Sequence, residues 1–110
     1  MHALDILGDP VRRRILELLT TGEQSSGEVV AVIAQEFAIS QPAVSHQLKV
    51  LRESGFTSVR PEGQRRIYAL SPGPITEVEQ WLEPFRQFWD HKLGALATEI
   101  ARGKKKQSKP

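Results

Sequence analysis

The sequence contains no cysteine. A disulfide framework, a thiolate metal site and a thiol redox switch are therefore excluded. It has no apolar run long enough to cross a bilayer. The opening residues Met1-His2-Ala3-Leu4-Asp5 lack the basic region and apolar stretch of a signal peptide. A cytoplasmic protein with no membrane attachment is the expectation. The three histidines, His2, His46 and His91, fall in separate segments. There is no glycine-rich phosphate loop, the serines follow no nucleophile-elbow pattern, and no nucleophile stands with a base. No enzyme is expected.

The 110 residues suffice for one domain and not two. So short a chain buries only a modest core, and a dimer interface would help to stabilise it. The net charge of +2 hides a division. Residues 102–110 carry Arg102, Lys104, Lys105, Lys106 and Lys109, whereas residues 1–101 hold 10 Lys/Arg against 13 Asp/Glu. Within that acidic body, Ser40–Leu70 is basic, with Lys49, Arg52, Arg60, Arg65 and Arg66 against Glu53 and Glu62. A basic segment on an acidic body points to a polyanionic partner.

Helical signals dominate the chain. A short helix is expected near residues 3–7. Asp9-Pro10 then opens a longer one, with a capping carboxylate followed by a residue that has no amide to orphan. Val11, Ile15, Leu18 and Leu19 recur at helical spacing, and Gly22 is the expected stop. Ser25-Ser26-Gly27-Glu28 reads as a capping box before a helix over about 26–37 with Val29, Val30, Ile33 and Phe37 inward. Ser40, with Pro42 in the first turn, opens a helix over about 41–54. Its buried stripe is Val44, Leu48 and Leu51, and Gly55 stops it. Thr57–Arg60 and Arg66–Leu70 read as strands joined by the turn Pro61-Glu62-Gly63-Gln64. After the break Ser71-Pro72-Gly73-Pro74, an apolar stripe runs from Ile75 to Ile100. Pro84 interrupts it, and a kink or restart is expected at Leu82–Pro84.

This order is that of a winged helix-turn-helix, a mainly α fold with a small β-hairpin wing. Ala38-Ile39-Ser40 is the short connection that holds two helices at a steep angle. A helix fits the major groove of B-DNA. The early residues of helix 41–54, Gln41, Ser45, His46 and Gln47, are the candidates to reach base edges, with Lys49 and Arg52 nearby. Arg60, Gln64, Arg65 and Arg66 on the wing are suited to phosphates or a narrow minor groove. The partner expected is double-stranded DNA. A winged-helix module that binds protein is the alternative, and five cations on this segment argue against it.

Residues 40–56, Ser-Gln-Pro-Ala-Val-Ser-His-Gln-Leu-Lys-Val-Leu-Arg-Glu-Ser-Gly-Phe, closely resemble the recognition helix of the ArsR/SmtB family of repressors. Leu7–Leu19 and Glu62–Leu70 resemble that family too, and the match extends over roughly residues 4–101. The resemblance implies a homodimer whose first and last helices form the interface, with Leu4, Leu7, Trp81, Phe85, Phe88, Trp89, Leu93 and Leu96 as its candidates. It implies repression by occupying a palindromic promoter site, often the repressor's own. The domain expected is thus residues 1–101, for DNA binding and dimerisation, followed by a basic disordered tail at 102–110.

The family is best known for metal sensing, and this sequence departs from it there. The two cysteine positions of the thiolate motif fall on Ser25 and Gly27. A second family site needs an Asp-x-His pair and a further His downstream. Here Asp90 and His91 are adjacent, and neighbours one apart on a helix do not converge. No metal and no cofactor are expected, and the resemblance is to a metal-independent branch. Two readings stay open for Arg12-Arg13-Arg14: a grip on phosphates, or pairing with acids such as Glu17 and Asp9. Trp81, Phe85, Phe88 and Trp89 could line a ligand pocket or form the dimer seam. The lysines of residues 104–109 could add nonspecific DNA affinity or be simply solvated.

Overall fold

The computed structural model describes residues 3–108; His2 and Lys109 lie outside them. The order is α1 (Ala3–Ile6), α2 (Pro10–Leu19), β1 (Gln24–Ser25), α3 (Ser26–Phe37), α4 (Gln41–Glu53), β2 (Thr57–Glu62), β3 (Arg65–Leu70) and α5 (Pro72–Ser108). This is the mainly helical, winged architecture expected. The chain divides into two units, one ending at Val78 and one beginning at Glu79.

Caps fix the helix boundaries in the first unit. Asp9 Oδ1 accepts from the Val11 and Arg12 amides at 2.7 and 3.2 Å, and Pro10 takes the first helical position. Ser25 Oγ accepts from the Glu28 amide at 3.2 Å and donates to Glu28 Oε1 at 2.9 Å. Ser40 Oγ accepts from the Ala43 amide at 3.2 Å. α4 ends in a Schellman turn. The Phe56 amide bonds to the Leu51 carbonyl and the Gly55 amide to that of Arg52, with Gly55 at φ 82°. α3 ends in a related turn, the Ala38 and Ile39 amides both bonding to the Ala34 carbonyl, and the left-handed position there is Ala38, at φ 54°. That tight stop leaves only Ala38-Ile39-Ser40 between α3 and α4.

The core is built where the apolar stripes of these helices meet. Ile6, Ile15, Leu19, Val29, Ile33, Val44, Leu48, Leu51, Phe56 and Tyr68 are buried together, with Ile75 and Val78 packed against them. Phe56 is fully buried directly after the Schellman turn. Its truncation to alanine is of the class that costs about 3–5 kcal/mol.

The sheet has three antiparallel strands in the order β1-β3-β2. The hairpin pairs Glu62 with Arg65 and Thr57 with Leu70, so its strands are longer and its loop shorter than expected. Only Gly63 and Gln64 turn the chain, with Gly63 at φ 62° as a two-residue loop of this kind demands. Pro61 is tolerated within β2 because β2 is an edge strand and an amide facing outward is not missed. β1 is additional to the elements that the sequence predicts. Gln24 pairs with Tyr68 and Ser25 with Ile67, so Ser25 ends a strand and caps a helix at once.

α5 corrects the expectation for the C-terminal part. It begins at Pro72, inside the expected break, because the first turn of a helix has no use for the amides that Pro72 and Pro74 lack. It is one helix across Pro84, without the expected restart. The helix also continues to Ser108, into the segment expected to be disordered; arginine, lysine and glutamine there are good helix formers.

Candidate nucleic-acid interface

α3 and α4 form the helix-turn-helix, and burial decides which face of α4 is left over. Val44, Leu48 and Leu51 are buried, while Gln41, Ser45, His46 and Lys49 are exposed and Arg52 is half-buried. Gln41, Ser45, Lys49 and Arg52 recur at i, i+4, i+8 and i+11 and so share one side of the helix. A groove beside that side is lined by Ser26, Ser45, Lys49, Arg52, Arg66 and Tyr68. The structure thus gathers two cations of α4 and one of the wing around three hydroxyl-bearing residues, Ser26, Ser45 and Tyr68. Among the described residues Arg52 and Arg66 make no ion pair. Lys49 makes a loose one, 3.9 Å from Glu53.

Strand alternation separates the wing arginines. Arg66 shares a face with Tyr68, towards the groove. Arg60 pairs across the hairpin with Ile67 and lies, with Arg65, on the other face. There the two are already occupied. Arg60 donates to Glu62 Oε2 at 2.8 Å and to Glu23 Oε2 at 2.5 Å, and Arg65 donates to Glu28 Oε1 at 2.5 Å. The hydrogen bond from Arg60 holds the Glu62 carboxyl below its ordinary range, and the same contact raises the Arg60 guanidinium above its own. Gln64 is exposed at the hairpin tip. Of the expected wing contacts, then, the structure brings Arg66 to α4 and turns Arg60 and Arg65 away.

Gln47 also departs from expectation. It is half-buried, and its side chain faces α2, not the exposed side of α4. Arg12 Nη1 donates to Gln47 Oε1 at 2.9 Å, and Gln47 Nε2 donates to Asp9 Oδ2 at 3.4 Å. The reason is angular: Gln47 lies three residues after Val44 and four before Leu51, both of them buried.

The arginine run is occupied within the protein. Arg12 Nε donates to the Ile6 carbonyl at 2.7 Å, and Arg13 Nη1 to that of Leu7 at 2.6 Å. Arg14 bonds Glu36 at 2.9 Å and lies 3.5 Å from Glu17, contacts that raise its guanidinium, Glu36 foremost. Arg14 thus pairs with acids, whereas Arg12 and Arg13 are held chiefly by backbone carbonyls. Ser25 and Gly27 sit at the start of α3, where Ser25 Oγ is engaged as the cap. No group of three His, Asp or Glu side chains among the described residues could hold a metal ion.

From Glu79 onward α5 exposes a continuous apolar side. Trp81, Leu82, Phe85, Phe88, Trp89, Leu93, Leu96 and Ile100 are each between 44% and 61% exposed. The run Leu82, Phe85, Trp89, Leu93, Leu96 and Ile100 follows steps of three and four, the spacing of a helix seam. Trp81 and Phe85 pack with ring centroids 4.8 Å apart. Leu4 and Leu7 are half-buried, Leu7 against the core.

Comparison with known proteins agrees with this geometry. Residues 9–59 match the family described as bacterial regulatory protein, arsR family. The chain is 33% identical to the transcriptional repressor SdpR of Bacillus subtilis, over 79% of this chain and 92% of that repressor. It is 36% identical to the HTH-type transcriptional regulator Rv2034 of Mycobacterium tuberculosis, over 90% of this chain and 86% of the regulator. Among solved structures, a possible transcriptional regulator for arsenical resistance superposes with a TM-score of 0.66 at 32% identity, covering 90% of this chain and 96% of the other.

Proposed function

Since the chain belongs to the ArsR family of bacterial regulatory proteins, we propose that it is a homodimeric, DNA-binding transcriptional repressor that reads a palindromic operator with α4. The observation that carries the assignment of roles is the groove where Lys49, Arg52 and Arg66 meet beside the exposed Gln41, Ser45 and His46. The cations hold phosphate oxygens on either side of the groove edge, and the short polar side chains reach the base edges. Gln64 meets the backbone from the hairpin tip. The role is regulatory and non-catalytic, carried out on DNA in the cytoplasm.

Dimerisation uses the apolar side of α5, with Leu4 and Leu7 contributing from the N-terminal helix. Trp81, Phe85, Phe88, Trp89, Leu93 and Leu96 are exposed over a wider stripe than a monomer leaves uncovered. A two-fold axis then presents two copies of α4 to successive major grooves. The operator is an imperfect palindrome with half-site centres about 10–10.5 bp apart or a multiple of that.

Selection of bound duplexes from a random-sequence library, followed by footprinting, tests the proposal. Enrichment of a two-fold symmetric site with that spacing supports it. Recovery of no preferred sequence would favour a protein-binding module.

A further inference from the structure

We infer that Gln47 is a positioning residue: it sets the rotation of α4 about its own axis, and with it the register in which Gln41, Ser45 and His46 meet the bases. The inference rests on the DNA-reading role of α4. Apolar packing of Val44, Leu48 and Leu51 against the core decides which face of α4 is buried, but, being non-directional, it does not by itself set the fine angle about the helix axis. Directional contacts do that. Among the described residues, Gln47 is the one α4 side chain that hydrogen-bonds to another element.

Both ends of its amide are used, the oxygen accepting from Arg12 and the nitrogen donating to Asp9. Each partner is itself immobilised. Asp9 is the cap of α2, its other oxygen taken by the Val11 and Arg12 amides. Arg12 is held through Nε by the Ile6 carbonyl at the end of α1. The bracket is half-buried, with side-chain exposures of 19% for Arg12 and 29% for Asp9, so solvent competes only weakly for these bonds. Gln47 stands across the helix axis from Ser45, on the side that faces α2. A small rotation there swings the whole reading face.

The test uses the full-length protein, its selected operator and a random duplex. Gln47→Met keeps the volume and removes both hydrogen bonds. Gln47→His keeps one acceptor and one donor on the ring. Arg12→Met removes the other half of the bracket. Thermal unfolding shows that each variant is folded, and base preference is measured at every operator position. Gln47→Met and Arg12→Met should each lower operator affinity about tenfold, with little change on random DNA and a weakened preference at all read positions together. Gln47→His should recover much of the loss, and the double methionine variant should be no worse than the poorer single one. Loss of preference at one base position would make Gln47 a base reader and overturn the inference. Unchanged base preference with a lowered Tm would also overturn it, leaving Gln47 a merely structural residue. A wild-type protein that selects no sequence would overturn the DNA-reading role itself, and this inference with it.

Discussion

Arg65 of the wing reaches back to Glu28 in the first turn of α3, with Nη2 2.5 Å from Oε1. That same carboxylate oxygen accepts the hydroxyl of the cap residue Ser25 at 2.9 Å. One glutamate thus closes the helix start and pairs a cation of the wing. Glu23 and Glu62 occupy Arg60 in the same way.

The first prediction follows from that pairing. Glu28→Gln retains a side chain suited to the capping box but removes the charge that holds Arg65. Affinity for random duplex DNA should rise, and the dependence of log K on log salt should steepen by about one unit as Arg65 becomes free to hold a further phosphate. Salt titration of binding by fluorescence anisotropy reads both. An unchanged slope would mean that Arg65 stays away from DNA whether paired or not.

The second concerns the dimer. Sedimentation of the wild-type protein at micromolar concentration should give a species of twice the 12.3 kDa chain. Trp89→Ala, at a residue 61% exposed in the single chain, should weaken association by about 1–3 kcal/mol. A wild-type protein that sediments as a monomer would remove the basis for a palindromic operator.

The third isolates the turn between α3 and α4. Ala38 sits in the left-handed region at φ 54°, a conformation that costs an L-residue about 1–2 kcal/mol. Ala38→Gly relieves this, and the greater freedom of glycine in the unfolded chain returns about 0.5–1 kcal/mol. The net expectation is a stabilisation of up to about 1.5 kcal/mol, seen as a rise of several degrees in Tm at fixed protein concentration. A lower Tm would show that the Ala38 methyl group contributes packing that outweighs the strain.

The fourth addresses metals. With no cysteine, with His46 and His91 both exposed on separate helices, and with Ser25 committed as a cap, no chelating set converges among the described residues. Zinc, nickel or copper added to the protein–operator complex should change affinity by less than about tenfold. A specific release of DNA at stoichiometric metal would contradict this.

Much of the fold is legible in the sequence because its boundaries are written locally. Asp9-Pro10, Ser25 to Glu28 and Ser40 each carry a cap that the structure realises at the expected residue. What depends on distant partners is not legible in this way. β1 is two residues long, too short for any periodicity, and exists because β3 returns alongside it. The acids Glu23 and Glu28, which occupy Arg60 and Arg65, lie 37 residues earlier in the chain. Gln47 looks like a base reader because it is polar and early in α4, yet its spacing from Val44 and Leu51 puts it near the core side. The restart expected at Leu82–Pro84 and the break at residues 71–74 both give way to one helix, since local propensity is only a weak prior over so long an apolar-periodic stretch.

In the proposed division of labour, the exposed side of α4 reads bases and the Lys49–Arg52–Arg66 groove holds the backbone. The most direct measurement compares wild type, Ser45→Ala and Arg66→Ala on operator and random duplex across a salt series. Ser45→Ala should cost about 1–3 kcal/mol on the operator, relax preference at one position per half-site and leave the salt slope unchanged. Arg66→Ala should weaken both duplexes alike and lower the slope by about one unit for each phosphate no longer held. If Arg66→Ala left random-DNA affinity and slope intact while altering base preference, the wing would be a base reader and the division of labour would be wrong.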